Sequence, residues 1–204
     1  MLAQLLKTET RAAHHALDHH PLLSQLFSPE LSSETYALIL SSMRGVQMQC
    51  ETVLANFAER LPQHFSYDGY LNFASRIPLI DKDLSSVKNI PQTLPAISNP
   101  ISLNSIGSYI GMAYVIEGSA LGGQHIARYL QKVKPLLPVS FFSSEGFDCK
   151  ERWNSFWEFA NAHCPENEYD IAVATAIQTF DIYRLQMDHY LANPVKQCAE
   201  TSAA

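Results

Sequence analysis

The sequence predicts an all-α protein, and three observations lead to that fold class. Apolar residues recur three and four positions apart over long stretches, as they do on the buried face of a helix. No run of alternating β-branched residues indicates a sheet, and there is no internal repeat. The 204 residues, 47% of them hydrophobic, can bury one core. We therefore expect a single-domain helical bundle over residues 1–192, with a flexible C-terminal tail over 193–204.

Two long helices are predicted in the first third of the chain. Residues 2–19 form an amphipathic pattern that must end before Pro21, because the residue preceding a proline is disfavoured in a helix. A short connector follows, and Ser32 or Ser33 can cap the second helix. That helix continues to Leu61, just before Pro62.

Prolines interrupt the chain between residues 66 and 104, so only two short helices are predicted there, near 67–76 and 79–88. An extended loop then leads to a helix over about 105–130. After a loop rich in Pro, Phe and Ser, two helices at about 147–163 and 167–191 complete the predicted bundle.

Charge and composition exclude several classes of partner. The chain has 14 Lys and Arg against 20 Asp and Glu, a net charge of −6, so no basic field would gather nucleic acid or an anionic membrane. A small anion stays possible, because it needs only two or three cations. The four cysteines lack a Cys-x-x-Cys pair and are expected to be reduced thiols. Neither a signal peptide nor a membrane span is indicated, which predicts a cytoplasmic protein.

Five of the eight glycines fall within one predicted helix, at positions 107, 111, 118, 122 and 123. Each glycine inside a helix costs about 1 kcal/mol relative to alanine, so the cluster must serve a purpose. Close helix packing is one use, and close approach of the backbone to a flat ligand is the other. The segment has neither the Lys-Ser/Thr of a phosphate-binding loop nor the Gly-x-Ser-x-Gly of a nucleophile elbow.

Four of the eight histidines lie near the end of the first helix, at positions 14, 15, 19 and 20. An exposed polar face could explain such a cluster, and the Glu-x-x-His pairs of a di-iron bundle are absent from the sequence. His14 differs because Lys7 and Asp18 lie on its helix face, at −7 and +4. His14 could ligate iron, Asp18 could accept its other ring N–H, and Lys7 could reach an anionic group of the same ligand. This set fits heme.

Two segments resemble the heme oxygenase family. LLKTETRAAHHALDHH resembles the family's first helix, Leu-Lys-x-x-Thr-x-x-x-His. YVIEGSALGGQHIARYL resembles the distal helix of the bacterial branch, including members encoded beside phytochromes. RIPLIDKDL is similar to a weaker family pattern, and Tyr183-Arg184 matches an aromatic-basic pair near the end of the fold.

The resemblance implies a heme oxygenase-like bundle with a kinked, glycine-rich distal helix, and it assigns roles to residues. His14 would be the iron ligand, Lys7 a propionate partner, and Tyr183 with Arg184 a second propionate contact. Gly118, Ser119, Gly122 and Gly123 would face the other side of heme, the first three as catalytic residues. The vertebrate-like branch has aspartate where this chain has Ser119.

The activity implied by the resemblance is oxidative cleavage of heme to biliverdin, CO and ferrous iron. O2 is the co-substrate, and electrons come from a ferredoxin or a flavoprotein reductase. Two alternatives stay open: a heme-binding protein that stores, carries or senses heme, and a helical domain without heme. A monomer is favoured over a weak dimer.

Overall fold

The structure is a computed structural model that describes residues 1–62, 65, 74–87 and 101–193. These residues form eight α-helices and no strand, so the predicted all-α fold is confirmed. Two short 3-10 helices, Leu23–Phe27 and Glu166–Glu168, lie between them. The α-helices are α1 (Leu2–Glu9), α2 (Arg11–Asp18), α3 (Ser33–Ala58), α4 (Ile77–Ser85), α5 (Ile106–Val133), α6 (Ser140–Ser143), α7 (Cys149–His163) and α8 (Tyr169–Ala192).

The predicted first helix is divided in two at Thr10, between α1 and α2. The backbone of Thr10 lies at φ −85° and ψ −5°, and its hydroxyl donates to the Leu6 carbonyl at 2.7 Å. Such a bond from a threonine to the preceding turn competes with regular helix geometry. The helical bond from His14 N–H to the Thr10 carbonyl persists, so α1 and α2 follow one another closely.

Helices α3, α5 and α8 form the centre of the bundle, because each contributes to both hydrophobic clusters. One cluster joins the second half of α3 and the first halves of α5 and α8 to α1 and α7, and Phe156 and Phe159 of α7 are fully buried in it. The other joins the start of α3 and the ends of α5 and α8 to α4, α6 and the first 3-10 helix. Helices α1 and α2 pack on α8.

A buried carboxylate starts α6, which lies in the segment predicted as a loop. Asp83 of α4 is fully buried and accepts the N–H groups of Ser140 and Phe141, each at 2.9 Å. The charge is satisfied by the free N–H groups at a helix start, a contact between distant segments that helical periodicity does not reveal.

Other predicted bounds shift by a few residues, since α3 ends at Ala58 and α4 begins at Ile77. The predicted helix at 67–76, the extended loop before residue 101 and the tail fall largely outside the described residues. No helix in the described part of the chain has both the length and the apolar character that a membrane crossing requires.

Candidate heme-binding site

The His14 imidazole is held by a carboxylate one helical turn away. Its Nδ1 lies 3.0 Å from Oδ2 of Asp18, and both side chains are more than half exposed. The ring packs edge-on against Phe180 of α8, with centroids 5.4 Å apart and planes at 85°. Nε2 has no hydrogen-bond partner among the described residues. Asp18 and Phe180 thus orient the ring and leave one nitrogen available as a ligand atom.

The hydrogen bond that His14 donates to Asp18 raises the pKa of His14 above its ordinary value; partial burial opposes the rise, and the charge of Asp18 adds to it. A carboxylate partner favours the protonated imidazole, but it also makes the neutral ring a stronger donor to a metal. His14 is therefore suited to ligate a cation at pH values above this raised pKa.

The other three histidines of the cluster have different surroundings. His15 is exposed and stacks on His19, with ring centroids 3.9 Å apart. His20 is buried, where its Nδ1 accepts the Leu22 N–H and its Nε2 lies 3.1 Å from Asp188. His20 therefore joins the end of α2 to α8, and both of its ring nitrogens are engaged.

The residues that the resemblance assigns to the propionates do not share one environment. Lys7 is exposed on α1. Arg184 is paired on α8 with Asp181 at 3.5 Å and Asp188 at 3.2 Å. Tyr183 is almost fully buried, and its hydroxyl donates to Oε1 of Gln47 at 2.7 Å. Burial raises the pKa of Tyr183 well above its ordinary value, so it is a neutral donor within the core.

The five glycines of α5 divide into two groups. A Cβ at Gly111 would overlap the Ala172 carbonyl of α8, and one at Gly123 would lie 2.8 Å from the Phe142 oxygen of α6. A Cβ at Gly107 would lie 2.6 Å from the carbonyl oxygen of Glu168. These three glycines allow neighbouring backbone to approach, which is the packing use of glycine.

Gly118 and Gly122 have no such neighbour in the described structure. A Cβ at Gly118 would make an ordinary contact of 3.6 Å with Trp153, and one at Gly122 would meet nothing within 4 Å. Gly118, Ser119 and Gly122 are accessible to solvent, while Ala120 and Gly123 are buried. We call these three accessible residues the open face of α5. Helix α5 continues through all five glycines to Val133, and the predicted bend stays a prediction.

A buried arginine lies beneath the open face. Arg76, only 5% exposed, donates from Nη2 to the Ser119 hydroxyl at 3.0 Å and to the Ile116 carbonyl at 3.2 Å. Its guanidinium also lies 5.0 Å from the centre of the Phe141 ring. Burial lowers the pKa of Arg76, but arginine remains protonated at any physiological pH.

A chain of polar side chains in α3 supports this arginine. Glu51 accepts the Arg76 N–H at 3.0 Å and the Gln47 amide at 2.8 Å. Gln47 in turn accepts the Tyr183 hydroxyl, so hydrogen bonds connect α8, α3 and α5 through the core. The sequence interpretation missed Arg76, Glu51 and Gln47. Two signals in the sequence could have identified them. Arg76 begins the RIPLIDKDL segment, and Gln47 is a polar residue in an apolar stripe of α3.

A small cleft of about 10 Å³ lies next to Arg76. Its walls include Ala120 of α5 and Cys149 of α7, together with the paired side chains of Glu117 and Arg152. The open face does not contribute to it: Gly118 and Gly122 are absent from its walls. This volume has room for about one water molecule, far less than a small-molecule ligand needs.

Comparisons with known proteins agree with this architecture. The family model of heme oxygenase matches residues 1–188. Heme oxygenase-1 from the cyanobacterium Synechocystis, solved in complex with heme, superposes with a TM-score of 0.68 at 16% identity, covering 94% of this chain and 93% of that one. The NO- and CO-bound heme oxygenase from Neisseria meningitidis superposes with a TM-score of 0.70 at 19% identity, covering 94% of this chain and 92% of that one. Heme oxygenase from Leptospira interrogans superposes with a TM-score of 0.69 at 18% identity, covering 92% of this chain and 98% of that one. No curated protein matches the sequence.

Proposed function

Because the chain belongs to the heme oxygenase family, we propose that it binds heme between His14 and the open face of α5 and cleaves it oxidatively. The products would be biliverdin, CO and ferrous iron. The structures that it resembles are described as heme oxygenases, one in complex with heme and one with bound NO and CO, and this supports heme as the substrate.

The observation that carries the proposal is the orientation of His14. A porphyrin supplies four nitrogens to its iron, so the protein needs to add only one axial ligand. An imidazole with Nδ1 on a carboxylate and Nε2 unengaged is the usual form of a histidine ligand to a metal. The nearby Phe180 ring offers an apolar contact of the kind that a flat macrocycle requires.

The open face of α5 fits the other side of the ring. Gly118 and Gly122 leave room for a ligand to approach the helix backbone, and neither is required by packing within the described residues. Ser119 supplies the polar side chain of this face, and Gly123 allows α5 to lie against α6. In this proposal, Gly118, Ser119 and Gly122 confine O2 beside the ring.

Cations near His14 would hold the two propionates. Lys7 is exposed and can turn toward a carboxylate, and Arg184 lies one helical turn beyond Phe180 on α8. Arg184 would exchange part of its pairing with Asp181 and Asp188 for a propionate. Tyr183 would act indirectly, because its hydroxyl is bonded to Gln47.

Bound heme would supply the iron that activates O2 and the ring carbon that is oxidised. The chain's own part is to ligate, to orient and to keep strong acids away from the reacting side. The electrons must come from outside, and we propose a ferredoxin or a flavoprotein reductase as the donor. A cytoplasmic monomer remains our prediction.

The proposal is tested by adding hemin to the purified protein and then a reductant under air. Catalase is included, so that free peroxide cannot degrade heme non-specifically. We expect stoichiometric binding, followed by replacement of the heme absorption band by that of biliverdin. A bound heme that persists through reduction and reoxidation would instead indicate a storage, carrier or sensor protein. Failure to bind hemin stoichiometrically would indicate a helical domain without heme.

A further inference from the structure

Helix α2, which carries His14, has no buried residue of its own. All eight of its residues, Arg11–Asp18, are at least partly accessible, and only Ala13 and Leu17 are half-buried. A helix of this length is marginal by itself and takes its stability from packing. Apolar burial therefore gives α2 a weak hold on α8, and the position of the helix depends on the contacts that fasten its ends.

His20, two residues beyond the end of α2, is buried and bonded through both its backbone and its ring. Its N–H donates to the Leu17 carbonyl at 3.0 Å, and its carbonyl accepts the Ser24 N–H at 2.9 Å. Nδ1 accepts the Leu22 N–H, which can only donate, so the ring hydrogen is on Nε2. Nε2 lies 3.1 Å from Oδ1 of Asp188 and therefore donates to it. These bonds hold the corner after α2 in one conformation.

Asp188 connects this corner to α8. One of its oxygens accepts from His20, and the other lies 3.2 Å from Nη1 of Arg184. The two bonds restrict a half-exposed carboxylate that would otherwise turn in solvent. The same helix presents Phe180 to the His14 ring, about two turns before Asp188. Helix α2 is therefore fastened to α8 beyond its end by a hydrogen bond to a charged group, and beside His14 by a ring contact.

We propose that His20 is a positioning residue for the iron ligand: through Asp188 it fastens the end of α2 to α8, and so keeps the His14 imidazole on bound heme. This inference rests on the heme oxygenase function proposed above. When the contact between His20 and Asp188 opens, α2 can swing away from α8 and take the ligand with it. The rate at which hemin leaves the protein then follows the population of the open form.

Two substitutions of His20 separate its two ring contacts. The amide oxygen of asparagine lies near the place of Nδ1, so His20→Asn still accepts the Leu22 N–H but loses Asp188. The amide nitrogen of glutamine lies near the place of Nε2, so His20→Gln keeps Asp188 and gives up the Leu22 N–H. Each variant loses one hydrogen bond of the same buried side chain, which makes the two a matched pair.

Hemin release, measured as transfer to excess apomyoglobin, tests the proposal. We expect His20→Asn to release hemin about 10-fold faster than the parent chain, because it loses a hydrogen bond to a charged group. In the heme-free protein, hydrogen exchange of the α2 amides should accelerate by a similar factor. His20→Gln should stay close to the parent in both measurements. Equal effects of the two variants, or no effect of His20→Asn, would overturn the proposal.

A ligand that is not attached to α2 distinguishes positioning of His14 from general support of the pocket. In His14→Ala, added imidazole ligates the iron without a link to the helix. With imidazole present, the double variant of His14→Ala and His20→Asn should therefore release hemin at the rate of His14→Ala alone. Faster release by the double variant would show that His20 supports the pocket rather than the ligand, and this would contradict the inference.

Asp188→Ala removes the other partner at a position whose side chain is 51% exposed, and it decides the question if His20→Asn does not fold. It should accelerate hemin release as much as His20→Asn, and the two changes together should have no larger effect. Asp181→Ala is the matched control, because Asp181 is a carboxylate of α8 that pairs with Arg184 and not with His20. We expect it to leave the release rate unchanged, and an effect equal to that of Asp188→Ala would count against the inference.

The outcomes for this inference and for the proposed function are separate. If the parent chain fails to bind hemin or to form biliverdin, the proposed function fails. If it does both and the His20 and Asp188 variants release hemin at the parent rate, only this inference fails.

Discussion

Nδ1 of His14 lies 3.0 Å from Oδ2 of Asp18, one turn further along α2. This pair sets the pH range over which a candidate iron ligand is protonated. Asp18 raises the pKa of His14, and a protonated imidazole has no lone pair for iron. Heme ligation and protonation therefore compete at His14, and ligation is lost as the pH falls, with a midpoint below that pKa because the iron competes with the proton for the same lone pair. In the heme-free protein the pH dependence has the opposite sign. The charged pair contributes to the free energy of unfolding at low pH, and this contribution is lost as the pH rises through that pKa.

Asp18→Asn should therefore move the pH dependence of heme ligation. The variant loses both the charge and the carboxylate acceptor that raise the pKa of His14, so the imidazole stays neutral to lower pH. We expect the midpoint for loss of histidine ligation, followed by absorption spectra of the hemin complex, to shift to more acidic pH. Glu9→Gln removes a charge from the neighbouring helix without touching His14 and should leave the midpoint unchanged. An equal shift in both variants would show a general charge effect.

His14→Ala should remove the axial histidine while leaving the fold intact, because the side chain is 59% exposed. The hemin complex of this variant is expected to lose the spectrum of histidine-ligated iron, and added imidazole should restore part of it. His15→Ala is the matched control: His15 is adjacent in sequence but stacks on His19. If only the His15 change altered the ligand spectrum, the assignment of the ligand would be wrong by one residue.

Most of the fold could be predicted from helical periodicity and from helix-ending residues. Pro21 and Pro62 mark the ends of two helical regions, and Ser105 caps α5 through a capping box with Ser108. Short elements that depend on distant contacts were not predictable. Helix α6 starts where it does because Asp83, about sixty residues earlier, accepts its first N–H groups. Periodicity carries no signal for such a contact.

The candidate site was predictable where its residues share a helix, and not where they lie on different helices. The pairing of His14 with Asp18 follows from their i,i+4 spacing, which the structure confirms. Arg76 reaches Ser119 from a segment that is 43 positions away, so no local pattern predicts their contact. The division of the glycines of α5 into packing and open positions also needed the structure.

Two alanine substitutions one residue apart should affect stability in opposite directions. Gly122→Ala adds a Cβ that meets nothing within 4 Å in the described structure, so only helix propensity changes. We expect stabilisation by up to about 1 kcal/mol. Gly123→Ala places its Cβ 2.8 Å from the Phe142 carbonyl, and such overpacking typically costs about 1–3 kcal/mol. Thermal unfolding of the heme-free proteins measures both, and equal effects would contradict the division of the glycines.

Gly122→Leu should separate folding from function. Leucine is a good helix former and projects from an accessible position, so the heme-free protein should unfold at a temperature close to that of the parent chain. The same side chain would occupy the space over α5 that we assign to heme. Biliverdin formation is expected to fall at least ~10-fold, equivalent to about 1.4 kcal/mol. Unchanged turnover in a correctly folded variant would exclude the open face as part of the site.

Asp83→Ala should be among the most destabilising single substitutions in the chain. It leaves the buried N–H groups of Ser140 and Phe141 without an acceptor, and each unsatisfied group costs about 1–3 kcal/mol. We expect a loss of roughly 2–4 kcal/mol in the free energy of unfolding, measured by denaturant titration. Asp81→Ala is the matched control on the same helix, because its exposed pair with Arg44 is worth less than about 1 kcal/mol.

Lys7→Glu should weaken hemin binding if Lys7 pairs with a propionate. Reversing an exposed charge replaces an attraction by a repulsion, and each such interaction is worth about 0.2–1 kcal/mol at an accessible site. We therefore expect the dissociation constant for hemin to rise by roughly 2–20-fold, since 1.4 kcal/mol corresponds to a factor of ten. The effect should shrink in high salt, which screens exposed charges. Lys150→Glu, an exposed lysine at the start of α7, is the control. A similar loss of affinity in both variants would attribute the effect to net charge and remove Lys7 from the site.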